Sequence, residues 1–484
     1  TSSNGYNMSE YKDIPKSNTS TDTVLAYSVP IKSKEKQTYK VELIYKETEE
    51  DQSVDMGKIL SGILGIQVGT KDPNLFTASV VVINGSSDTN SKEVYKGNDV
   101  TFTITPNDGY TLEDASVSCS NGTLSNNLLT ISNVQSDVNC TITLDEDGIT
   151  LAQAMLRDNP TISERTSFSS TNVANTTGTI YKTNKTEDGS YVYYYSGNTT
   201  NNWVYFGGFY WRIIRTNEDG SVRMLYSGTS HNTTSGYIGK SVYNSSYDNS
   251  MYVGYMYGTS GSLANNRNNT NDSPIKTKID TWYKNNLLTS YDKYISKTAI
   301  YCNDRSVGSG TYNTGSATDK DFYHGAYTRL NTKKTPSYKC GANISDGLFE
   351  STQALEDKFS ASTTGGGNGQ LKYPIALMTA DEISFAGGVY RTSLSSPYAW
   401  YYSNSAGGSI TGTNIWWLLS PGSKSGPGST MFRVHGSDYP GRFATSYFNI
   451  SDGVRPVISL SPCAKVTGNG TPTDPYIVTK SSCN

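Results

Sequence analysis

Between Ala78 and Leu144 apolar and polar positions alternate in short runs. Val100-Thr101-Phe102-Thr103-Ile104-Thr105 sets an apolar side chain at every second position, the two-residue period of a half-buried strand. Ala78-Ser79-Val80-Val81-Val82-Ile83 is a largely apolar run of buried-strand type, and Asn84-Gly85 after it reads as a hairpin turn. Ala115–Cys119, Thr123-Leu124, Leu128–Ile131 and Cys140–Leu144 follow, separated by turn residues. Short strands at this spacing predict a small β-sandwich over residues 76–146. The acidic run Asp145-Glu146-Asp147-Gly148 closes it as a solvated hinge.

Beyond the hinge the pattern changes period. Ile149–Arg157 reads as a short helix with Thr150 at its N-cap and Pro160 as its stop. Ile279, Trp282, Tyr283 and Leu287 fall at helical spacing within 276–288, with Ser273 or Thr277 available as the cap. Thr379 and Glu382 form a capping box before a short helix that Gly387-Gly388 ends. Trp203–Arg215 turns through Asn217–Gly220 into Val222–Tyr226, a hairpin signature. Strands are also expected at Ile415–Leu419, Phe432–Val434 and Val454–Leu460. One large α+β unit is therefore expected over 147–484.

Ahead of both units, residues 1–75 offer strands at Leu25–Val29 and Tyr39–Tyr45. A glycine-broken apolar run, Ile59–Ile66, follows. These strands are too few to close a sandwich alone, so a partial β domain completed by another element or another molecule is expected. The fold class is thus mainly β with an α+β head.

Three resemblances sharpen this reading. Tyr39–Tyr45, Asp51-Gln52 and Met56-Gly57-Lys58 resemble the last strands of the TasA/camelysin-type jelly roll, whose subunits join by passing a strand between neighbours. Val100–Tyr110 is similar to the internalin-type bacterial Ig-like repeat, a spacer module. Phe206–Arg215, Asp280–Tyr283, Leu377–Gly388, Trp416–Gly422 and Gly453–Leu460 resemble a C-type-lectin-like domain of unknown function in surface proteins of gut Gram-positive bacteria. That domain is related to formylglycine-generating enzymes and phage tropism determinants. The resemblance implies a fold that hosts sugar binding, protein binding and catalysis alike.

Charge and cysteine content set the compartment. Lys and Arg number 40 against 43 Asp and Glu, a net charge of −3, which gives no support to a nucleic-acid partner. No apolar run approaches the ~20 residues of a membrane span. Six cysteines allow fifteen pairings. Neighbours in sequence fall within single expected domains, so Cys119–Cys140, Cys302–Cys340 and Cys463–Cys483 are the expected disulfides. That pattern points to an oxidising, extracellular setting at the cell surface.

Candidate chemistry is sparse. His231, His324 and His435 lie in no context that pairs them with a nucleophile, and Asp381 with Asp438 is a nominal carboxylate pair without further support. Neither a metal motif nor a cofactor motif is present, and the expectation is a protein without catalysis. Binding fits the composition better. Segments 389–414 and 423–449 are Tyr/Ser/Gly/Asn-rich, the mix of rigid aromatic area and small polar groups that adaptable binding loops use. Tyr390, Arg391, Trp400, Tyr401, Arg433, His435, Tyr439 and Arg442 are the candidate ligand contacts, whereas Trp416 and Trp417 look like framework. The expected function is an extracellular adhesive protein, a fibre subunit joined to copies of itself by β-strand complementation. A monomeric adhesin or phage-type receptor binder, with a glycan or host protein as partner, is the alternative.

Overall fold

The computed structural model describes residues 74–479 except 108, 147, 267, 312–319, 341–356 and 365–366. The jelly-roll expectation on residues 1–73 and the Cys463–Cys483 pairing, through Cys483, lie outside the described residues. The fold is mainly β, 38% strand against 12% helix, and the chain divides between Asp145 and Glu146 into two compact units.

The first unit is built from two four-stranded sheets. One runs Ser91–Tyr95, Leu75–Ile83, Val138–Glu146, Tyr110–Ser118, and the other Gly85–Ser87, Val100–Pro106, Leu128–Ile131, Gly122–Ser125. Alternation decides the faces: Val100, Phe102 and Ile104 point inward while Thr101 and Thr105 point out. Phe102, Leu129 and Ile142 share one core, so the two sheets pack face to face. Cys119 is bonded to Cys140 across the neighbouring strands Tyr110–Ser118 and Val138–Glu146.

One sequence expectation is corrected here. Asn84-Gly85 is not a hairpin turn. Leu75–Ile83 pairs with Ser91–Tyr95 and, in parallel, with Val138–Glu146, whereas Gly85–Ser87 pairs with Val100–Pro106 in the other sheet. The dipeptide carries the chain from one sheet to the other, with Asn84 in the left-handed region (φ 67°). A side chain on Gly85 would meet Leu144 Cδ1 at 2.6 Å and Thr105 O at 2.7 Å, so close packing demands the glycine.

In the second unit a large mixed sheet gathers sequence-distant strands. Phe209–Thr216 lies between Trp203–Phe206 and Val222–Tyr226, and Val222–Tyr226 pairs onward with Pro456–Leu460. Ile149–Thr150 pairs with Lys465–Thr467, so the two ends of the unit's described chain meet in one sheet. Among the described residues, three helices of seven residues or more contribute to the core. Helix α1 (Leu151–Asp158) starts with a Thr150/Gln153 capping box, and α2 (Pro274–Asn286) is capped by the Ser273 side chain with Pro at its first turn. Helix α3 (Ala380–Ala386) has the Thr379/Glu382 capping box and ends at Gly387, φ 124°. Every residue of α3 is buried.

A second sheet carries the surface of interest. Trp416–Ser425 pairs with Gly428–Val434, which pairs with Phe443–Tyr447. Segment 423–449, expected as loop, is therefore mostly strand, with a two-residue turn at 426–427 and a longer connection at 435–442.

Candidate ligand-binding site

The connection 435–442 closes a hairpin whose last paired residues are Val434 and Phe443. His435 N–H donates to Arg442 O at 2.8 Å and Arg442 N–H to Tyr439 O at 3.0 Å, so the turn is internally bonded. It rests on a second turn. Arg391 N–H donates to Phe443 O at 2.8 Å, and Leu394 N–H to Pro440 O at 2.7 Å. From beneath, the Tyr401 hydroxyl donates to Gly441 O at 2.7 Å, and Tyr390 Oη lies 3.0 Å from Thr445 Oγ1. Gly441 has φ 60°, and a Cβ there would meet Leu394 Cδ1 at 2.5 Å, so only glycine fits.

The eight sequence candidates divide into a bed and a surface. Tyr390, Trp400 and Tyr401 are buried; Trp400 spends its indole N–H on Tyr195 O at 2.9 Å. As direct ligand contacts these three are corrected. Aromatic rings of this size fill the core because large apolar area is best removed from water. Arg391, Arg433, His435, Tyr439 and Arg442 remain at the edge. Tyr439 is 50% exposed. Its ring meets the His435 ring edge-on at 5.4 Å between centroids, and the Arg442 guanidinium lies 5.2 Å from its centre. Arg391 lies 5.3 Å over Tyr390. Arg433 is paired to Asp452 at 3.0 Å, whereas Arg391 and Arg442 have no carboxylate partner among the described residues. Burial and then the charges of Arg433 and Arg442 press the His435 imidazole down to about 4, against the opposing pull of Asp438. It is neutral at physiological pH in a cationic setting. Such an edge can grip an oxyanion and lay a ring face on Tyr439.

A second place was missed by sequence reasoning. A cleft of about 190 Å³ has the bonded Cys302–Cys340 pair and Tyr338 in its wall and a charged floor. Glu382 Oε1 accepts from Arg215 Nε at 3.3 Å and Arg223 Nη1 at 3.2 Å. Arg329 grips Asp381 through Nε at 2.9 Å and Nη2 at 3.0 Å, and reaches Asp304 with Nη1 at 3.0 Å. Burial alone would lower Arg329, but Asp381 and then Asp304 outweigh it and hold it above the ordinary range. Arg215 and Arg223 also stack on Tyr338 and Tyr301. Arginines inside the apolar strand Phe209–Thr216 were the available signal: a charge among buried neighbours needs a buried partner.

The nominal pair of carboxylates is not brought into play by this geometry, since Asp381 is held at both oxygens by Arg329 and Asp438 stands on the exposed hairpin turn. The expectation for the histidines is corrected at one position. His231 Nδ1 lies 2.6 Å from Ser405 Oγ, a contact between residues 174 apart in sequence. Trp203 and Tyr210 flank that ring, and no carboxylate orients it among the described residues. His324 is fully buried, with Nδ1 3.1 Å from Arg305 O. No group of three metal-ligating side chains occurs among the described residues.

No protein-family model, curated protein or solved structure matches the chain. Two disulfides are compatible with a secreted protein, and no described helix is long and apolar enough to cross a membrane.

Proposed function

We propose that the chain is an extracellular adhesive protein of a bacterial surface, whose unit beyond Glu146 binds a target through the hairpin end 435–442. The carrying observation is the placement of Tyr439 and Arg442, a half-exposed ring and a guanidinium without carboxylate partner, on a turn fixed from below by Tyr401 and Leu394. Pre-organised aromatic and guanidinium groups of this kind dominate recognition surfaces. The resemblance of Phe206–Arg215, Trp416–Gly422 and Gly453–Leu460 to a C-type-lectin-like domain supports the reading, as does the spacer character of residues 76–146. Subunit joining by strand exchange through residues 1–75 belongs to the same proposal and rests on a strand set too small to close a sandwich and on the resemblance of Tyr39–Tyr45, Asp51-Gln52 and Met56-Gly57-Lys58 to the TasA/camelysin-type jelly roll.

The test is retention of the purified full chain on immobilised glycans and host surface proteins, beside Tyr439→Ala and Arg442→Ala. Specific retention that both substitutions reduce is expected. Retention indifferent to both, or none on any target, would remove the hairpin end from the account. For the fibre, negative-stain images with and without residues 1–24 decide.

A further inference from the structure

We propose that the ligand of the hairpin end is a saccharide carrying a carboxylate or sulfate, with Arg442 and Arg391 taking the oxyanion and Tyr439 the sugar ring. This deepens the binding reading above and rests on it. Three observations carry it.

The first is the unanswered positive charge. Arg391 and Arg442 form no ion pair among the described residues, although the chain as a whole is net negative. Arg442 is half-buried; its Nε is closed off from solvent without a partner, while its two Nη groups form no hydrogen bond among the described residues and stay open. A guanidinium partly withdrawn from water with its Nη1/Nη2 end open is arranged to receive a two-oxygen acceptor, which its planar fork matches. The second is proximity. Arg391 N–H is bonded to the carbonyl of Phe443, the residue after Arg442, so both arginines issue from one short stretch of the edge. The third is the ring. Tyr439 offers a half-exposed aromatic surface, which suits the face of a sugar ring.

Charge also limits the ligand. Asp438 and Asp452 lie in the same patch, and Arg433 is already spent on Asp452. A continuous polyanion would meet those carboxylates, whereas an isolated oxyanion on a glycan would not. His435 supplies the reporter. Burial keeps the imidazole neutral first, and the charges of Arg433 and Arg442 add to it against Asp438, beside the edge-on Tyr439 ring; a bound oxyanion beside Arg442 offsets the arginine part.

The experiment uses the full chain and three singly charged probes: galacturonic acid, sialyllactose and a monosulfated galactan tetrasaccharide. Their uncharged counterparts are galacturonic acid methyl ester, lactose and the unsulfated tetrasaccharide. At least one anionic probe is expected to bind about tenfold or more tightly than its counterpart, the ratio falling as salt rises. Arg442→Ala is expected to cost about tenfold or more, with Arg442→Lys recovering only part. Arg391→Ala, an exposed position, repeats the test where folding is not at stake. In NMR titrations the His435 midpoint should move upward from about 4 when the probe is bound. Binding by carboxylated or by sulfated probes alone identifies which oxyanion is used. Equal binding of charged and uncharged probes, lost in Tyr439→Ala, would overturn the oxyanion while leaving the binding surface standing. Failure of every probe alongside specific retention of a host protein would overturn the saccharide. Failure of both kinds of target would overturn the binding reading itself.

Discussion

Arg455 donates from Nη1 to the carbonyl oxygen of Tyr401 at 2.8 Å while its guanidinium lies 4.6 Å from the ring centre of Trp416. Fully buried and without a carboxylate, it also bonds Tyr226 O at 3.1 Å and Ser227 Oγ at 3.3 Å, and burial presses it down to about 9. Arg212 treats the same segment alike, donating to Ser403 O at 3.3 Å and stacking on Trp203 at 4.1 Å. Two buried arginines thus hold the 401–403 backbone, and through the Tyr401 hydroxyl they hold the 435–442 turn.

Arg455→Ala should leave three acceptors without a donor inside the core and destabilise the chain by about 3 kcal/mol or more. Arg455→Lys should fail to restore the loss, because one ammonium cannot follow the guanidinium fork. Thermal unfolding measures both, and hydrogen exchange should show the amide of Leu394, bonded to Pro440, opening faster.

Glu382 serves two roles that substitution separates. Its Oε2 accepts from Thr379 N–H at 2.9 Å while Oε1 faces Arg215 and Arg223. Glu382→Gln keeps an oxygen for the cap but leaves the buried Arg223 without a counter-charge and Arg215 with only Glu218, at 3.5 Å, an expected cost of about 3–5 kcal/mol. Thr379→Ala removes only the cap's side-chain acceptor and should cost about 1 kcal/mol. Denaturant unfolding of the two variants should rank them in that order.

His324 sets an acid limit. Burial lowers its imidazole to about 4, with Nδ1 at Arg305 O and Nε2 unpartnered. The unfolded chain binds this proton near pH 6.5 and the folded chain only near 4. The stabilisation is therefore present above 6.5 and drains away as pH falls to 4, by about 3 kcal/mol. In His324→Gln the drop in unfolding free energy between pH 7 and pH 4.5 should shrink by most of that amount.

The two disulfides should differ in consequence. By loop closure Cys302–Cys340, spanning 38 residues, is worth about 4 kcal/mol and Cys119–Cys140, spanning 21, about 3 kcal/mol. The smaller contribution sits in the smaller core, where so few buried residues supply little reserve. Paired Cys→Ser variants followed by calorimetry should show the 119/140 pair removing cooperative unfolding of its own unit first.

Local chemistry was readable from the chain alone. The alternation of Val100–Thr105 and the caps at Thr150 and Thr379 depend on neighbours within about four residues, and the structure forms them where the pattern placed them; of the two caps offered for the helix around Ile279, the structure uses Ser273. The same holds for the strands beside Asn217–Gly220 and for the pairs Cys119–Cys140 and Cys302–Cys340, whose partners lie near in sequence. Composition also singled out the turn around Tyr439, because exposed loops show their polarity directly.

Only the tertiary structure decided which side of that turn each residue serves. Trp400 and Tyr401 carry the same aromatic signal as Tyr439, yet they lie in the core because Arg212, Arg455 and Tyr195, all distant in sequence, close over them. Asn84-Gly85 has a hairpin's residues but changes sheets, since Leu144 and Thr105 crowd Gly85 from strands far along the chain. The arginine–carboxylate floor of the cleft joins residues 215, 223, 304, 329, 381 and 382. A buried charge is tolerable only beside its partner, and which partner arrives is settled by packing across the whole unit, which short-range periodicity does not record.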